Sequence, residues 1–172
     1  MAFFFVILGV ILRLLPHPPN FAPIAALGLF GGVYLNKKYA VLIPLLAMFF
    51  SDIFIGFAGF WVTFSVYLSF FLIGLVGIWL RNHQNLPNIV GASLAGSIFF
   101  FVVTNFAVWA ATPWYSKDLP GFIQCYLLAI PFFRNTLLGD LFYVGVMFGL
   151  YELVQFWIRK KIFKTAEVGK HP

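Results

Sequence analysis

Residues 61–80 read WVTFSVYLSFFLIGLVGIWL, from Trp61 to Leu80, without one Asp, Glu, Lys or Arg. Twenty residues of α-helix are about 30 Å long, the thickness of a bilayer's hydrocarbon core. A helix apolar on every face has no side to offer water. The stretch therefore reads as a membrane span, and the rest of the chain agrees. Of 172 residues, 62% are apolar and 9% are charged. Soluble domains run near 25% charged, so these few charges cannot cover a soluble surface. The apolar content, with 24 Phe, excludes disorder. The single Cys125 excludes a disulfide scaffold. The net charge of +6 is not organised as a basic face on a soluble fold, so no nucleic-acid partner is expected.

Outward from residues 61–80, further apolar stretches cover 2–15, 21–35, 40–57, 89–111 and 132–158. A shorter amphipathic piece, 121–130, precedes the last. Breaks fall at Pro16-His17-Pro18-Pro19-Asn20, Asn36-Lys37-Lys38, Ala58-Gly59, Arg81 to Asn88, and Thr112 to Pro120. Pro cannot continue a helix, and Gly or Asn commonly closes one. The first two stretches are short, and fourteen helical residues reach only about 21 Å. They read as a tilted pair that leaves a hollow, or as one helical hairpin kinked at the prolines. A cleaved signal peptide fits less well, because no basic n-region is present and Pro23 follows the candidate site at Ala22.

With the amino terminus inside, six crossings place Lys37, Lys38, Arg81, Arg159, Lys160, Lys161, Lys164 and Lys170 on the cytoplasmic side. Lys117, Arg13 and Arg134 fall outside. This is the positive-inside bias. Trp61, Trp109 and Trp114 at outer ends, and Trp79 and Trp157 at inner ends, form the expected interfacial belts. The expected fold is all-α: an integral membrane six-helix bundle, multi-pass in a bacterial inner (plasma) membrane, both termini cytoplasmic. Residues 1–158 form a single transmembrane domain and 159–172 a basic cytoplasmic tail.

Polar residues collect in the outer half: Arg13, His17, Asn20, Asp52, Asn105, Arg134, Asn135 and Asp140. Charges inside a bilayer cost a few kcal/mol and usually face a bundle interior or wet cavity. Two readings stand. One is an outward-facing substrate pocket capped by the Pro-rich turn, with Trp114 and Tyr115 closing over a planar ligand. The other is two ion pairs, Arg13 and Arg134 with Asp52 and Asp140, that only lock helices together. In the last stretch Thr136, Asp140, Tyr143 and Met147 share one stripe, with Gly145 and Gly149 roughly opposite. Those glycines, and Gly28/Gly32, Gly91/Ala95 and Ala92/Gly96, are expected to pack helices within the bundle.

No P-loop or Rossmann glycine pattern and no HExxH motif occurs, so any ATP use must come from a partner. Neither enzyme activity nor a cofactor is expected, and no catalytic or metal-binding residue is assigned. The alternative is an intramembrane enzyme using Asp52, Asp140 and His17, with or without a metal. A structural membrane subunit is the third reading.

The segment from Arg13 through Pro16-His17-Pro18-Pro19-Asn20 to Gly32, with Pro44, Ser51-Asp52 and Arg134 to Asp140, resembles an uncharacterised bacterial family of membrane transport proteins. That family is similar, in size and six-helix layout, to the substrate-binding S-components of energy-coupling-factor (ECF) vitamin transporters. The resemblance implies an S-component-like fold. It implies uptake of a vitamin or cofactor precursor bound near the outer face, with lipid around it. It also implies a partner, a transmembrane coupling protein with ATPase subunits. Many S-components dock through Ala-x-x-x-Ala in the first helix. Here the nearest equivalent, Ala22/Ala26, lies in the second, which leaves a solitary transporter open.

Overall fold

Helix ends fall where capping chemistry places them. Asn36 accepts from the Lys38 N–H at 3.3 Å and starts α3 (Lys37–Ile55). Asn85 accepts from the Asn88 N–H at 2.8 Å and starts α5 (Leu86–Ala111), with Pro87 in the first turn. These caps begin both helices three residues earlier than apolarity alone marks. A computed structural model describes residues 2–168, and it is all-helical. The other helices are α1 (Ala2–Leu14), α2 (Ile24–Tyr34), α4 (Phe60–Leu80) and α6 (Leu119–Val168).

Among the described residues, four helices are long and apolar enough to cross a membrane: α3, α4, α5, and α6 over Leu119–Lys160. The other two predicted spans are shorter. α2 is 11 residues, about 16 Å. The expected break before residue 132 does not occur. α6 runs through Pro131 as one helix and absorbs the piece 121–130. Proline removes one backbone donor, which membrane helices tolerate where neighbours re-satisfy the freed carbonyl. α6 also continues through the expected tail as far as Val168. Lys170 lies outside the described residues.

The short helix α2 sits in the middle. It packs against all five other helices, and Ile24 to Val33 are all buried. This explains a sequence without a polar face, IAALGLFGGVY. Burial leaves its last carbonyls without water. Arg81, from the end of α4, satisfies them. Its Nε and Nη2 donate to the Gly32 carbonyl at 3.0 and 2.7 Å, and Nη2 also reaches Leu35 O. α2 and α4 meet backbone to backbone. A Cβ on Gly32 would lie 2.1 Å from the carbonyl carbon of Gly77, and one on Gly77 would lie 2.6 Å from Gly28 O. Glycine is required at this crossing. The expectation fails at Gly91, Gly145 and Gly149, where an added Cβ meets nothing within 4 Å.

Candidate functional site

Arg13 closes the last turn of α1 and reaches α3. Its Nη1 donates to Asp52 Oδ1 at 2.6 Å, to Met48 O at 3.3 Å, and to Ser51 Oγ. Asp52 is 6% exposed, and its Oδ2 accepts from the Tyr67 hydroxyl at 2.8 Å. Both carboxylate oxygens are therefore held. Ser51 in turn donates back to Ala47 O at 2.7 Å. The four side chains tie α1, α3 and α4 together.

The Pro-rich turn docks on α6. Asn135 Nδ2 donates to Pro19 O at 3.1 Å. One turn on, Gly139 leaves room for Phe21, whose Cα would lie 3.1 Å from an added Cβ. The Phe21 ring packs on Phe142 and Tyr143, at centroid distances of 5.8 and 5.6 Å. Asn20 takes φ 66°, a left-handed conformation that Asn tolerates better than most residues. Positions 135 and 139 thus form the face that holds the turn. On the adjacent face, Thr136 and Asp140 point inward, and both are buried.

Between turn and bundle lies a cavity of about 290 Å³. Arg13, His17 and Asn20 line it from the α1 side, and Thr136 and Asp140 from α6. Its walls are apolar: Ala22, Ile24 and Ala25 at the start of α2, Met48 and Ile55 of α3, Val66, Phe70 and Ile73 of α4, and Phe100 of α5. Asn20 is exposed and His17 half-buried, whereas Asp140 is 4% exposed, so the lining runs from solvent to a buried floor. Ser97 of α5 donates to Asp140 Oδ2 at 2.7 Å.

The remaining sequence candidates sit elsewhere. Asp52 stands behind Arg13 and does not line the cavity. Asn135 holds the turn. Arg134 is exposed and pairs with neither acid, because two residues of helix, about 200° of rotation, separate it from the Thr136/Asp140 face. Asn105 Nδ2 bonds Phe101 O within α5 at 2.8 Å. Trp114 and Tyr115 belong to a loop pinned to the end of α5, away from the cavity. There Trp109 Nε1 donates to Ser116 O at 2.9 Å, and Lys117 Nζ reaches Trp109 O and Thr112 O. In the same loop Asp118 Oδ1 accepts from the Ser116 hydroxyl at 2.6 Å and the Gly121 N–H at 2.8 Å. The Ser116 bond first, then the Gly121 bond, hold its carboxyl below the usual range. Among the described residues, no three His, Cys, Asp or Glu gather as a metal site.

Sequence reasoning missed Ser51, Tyr67 and Ser97 as partners of the charges. Tyr67 and Ser97 are hydroxyls within apolar spans that also hold Thr63, Ser65, Ser69, Ser93 and Thr104, so the sequence flags hydroxyl candidates without singling out these two. α6 starts at Leu119, so Asp140 lies 21 residues along it (140 less 119) and meets Ser97 near the middle of α5.

No curated protein and no solved structure matches the chain. Residues 1–162 match a family described as "Family of unknown function (DUF6580)", and the chain belongs to that family.

Proposed function

We propose that this chain is a multi-pass transport protein of a bacterial inner membrane. It binds a small, vitamin-like molecule in the cavity beneath the Pro-rich turn, on the outer side, and serves its uptake. The observation that carries this reading is the cavity itself. It brings Arg13, His17 and Asn20 from one end of the chain against Thr136 and Asp140 from the other, inside apolar walls. A concave, mostly apolar site with a few convergent polar groups is the usual form of a ligand pocket. Its volume is near the lower end of the roughly 300–1,000 Å³ typical of such sites, which favours a compact ligand. The Pro-rich turn is the element suited to control entry, because it forms the rim and is tied to α6 by Asn135 and Phe21.

The energy source belongs to the same proposal. A coupling protein with ATPase subunits would dock on a face other than Ala22/Ala26, since Ala26 is fully buried within the molecule. Native mass spectrometry of the protein released from its own membranes tests the reading. A recurring co-purifying small molecule, lost in Asp140→Ala while the protein stays folded in the membrane, is expected. Spectra without any adduct, together with unchanged uptake in a deletion strain, would overturn it.

A further inference from the structure

We infer that the cavity takes the positively charged, N–H-bearing end of an organic ligand, an ammonium or amidinium group, and that Asp140 receives it. The inference rests on the cavity being a binding site and names its ligand class. Arg13 and Asp52 form an ion pair at 2.6 Å, and Tyr67 takes the second oxygen of Asp52. That positive charge is already matched. Asp140 is 4% exposed and lines the cavity, yet has no cation beside it among the described residues. Ser97 donates to Oδ2, and Oδ1 has no donor among the described residues. Arg134 is exposed and off the cavity, so it does not change the balance.

Arg13, Asp52 and Asp140 together carry one positive and two negative formal charges. A buried carboxyl lacking a cation bears a desolvation cost when charged and otherwise takes up a proton, whereas a ligand cation offsets that cost and keeps the carboxylate ionised. Phe70 and Phe100, with ring centroids 5.2 Å apart, both line the same space and give it an aromatic wall, the kind of surface that attracts organic cations. An anionic ligand would meet the unmatched charge of Asp140. A neutral one could hydrogen-bond to Asp140 but would not offset the cost of its charge.

The test uses the full chain in lipid nanodiscs and three probes of one shape: benzylammonium, benzyl alcohol and benzoate. Binding is followed by ligand-observed NMR and calorimetry. Benzylammonium is expected to bind about tenfold or more tighter than either other probe, and Asp140→Asn to erase that preference. A smaller preference, benzoate binding tightest, or a preference that survives Asp140→Asn would overturn the inference while leaving a binding site in place. Failure of all three probes, with no adduct in native spectra, would overturn the binding-site reading and the inference with it. Should Asp140→Asn not fold, the wild-type ordering of the probes decides alone.

Discussion

At the scale of single residues, each buried charge has a different task. Asp52 neutralises Arg13 and anchors Tyr67. Removing one partner of a buried pair leaves the other uncompensated, at a cost of about 3–5 kcal/mol. Asp52→Ala should therefore lower stability by about that amount, read as the shift in a denaturant midpoint in mixed micelles. Tyr67→Phe, which leaves the ion pair intact, should cost about 0.5–1.5 kcal/mol. Arg81 acts on carbonyls instead of on an acid. Asp118, in the exposed loop, has its carboxyl held below the ordinary value by the Ser116 hydroxyl and then the Gly121 N–H. A depressed carboxyl stabilises the folded loop above its unfolded-state value, near 3.9. That contribution is lost as pH falls through the lower folded value. Protection of the Gly121 amide, measured by hydrogen exchange, should therefore persist at neutral pH and fall in acid. In Asp118→Asn that acid-dependent fall should disappear.

At the scale of elements, glycine position separates crossings from open faces. A methyl at Gly32 would strike the backbone of Gly77, where no flexible side chain can give way. Gly32→Ala should destabilise by about 1–3 kcal/mol or more, with loss of α2–α4 crosslinking by engineered cysteines. Gly145→Ala meets nothing within 4 Å and should be neutral or stabilising by about 0.5–1 kcal/mol, since alanine favours helix. The same thermal-stability assay reads both, and equal effects would contradict the crossing. Residues 134–140 divide cleanly by helical face. Asn135 and Gly139 hold the turn, Thr136 and Asp140 face the cavity, and Arg134 faces outward. Asn135→Ala should loosen the turn without removing cavity charge. A rise in proteolytic nicking near residues 16–20, with the bundle intact, would show it.

At the scale of the whole molecule, α3 to α6 supply four candidate crossings. The proposed orientation counts the short α1 and α2 as two further crossings. On the proposed orientation, a membrane-impermeant maleimide should label Asn20→Cys from outside intact cells. Lys38→Cys should react only after permeabilisation, and buried Cys125 gives little background. Much of this was legible in order of sequence. Uncharged runs such as 61–80 mark spans because length and polarity alone decide membrane crossing. The Pro-rich turn is marked by its prolines. Arg13, His17, Asn20 and Asp140 stand out because charged and polar groups are scarce. The position of Asp140 relative to its neighbours was not legible, because Pro131 looks like a helix end and is not one.

The sequence by itself determined an all-helical chain with membrane-length apolar helices and a small set of polar residues with reason to be inside. Those properties follow from local composition, which needs no knowledge of neighbours. Only the tertiary structure decided which charge meets which. It gave Arg13 to Asp52, left Asp140 with a serine, and turned Arg134 outward. It also decided that the shortest helix is the central one, with Arg81 spent on its carbonyls. Pairing depends on the facing and depth of helices distant in sequence, and these are set by close packing at places such as Gly32 and Gly77.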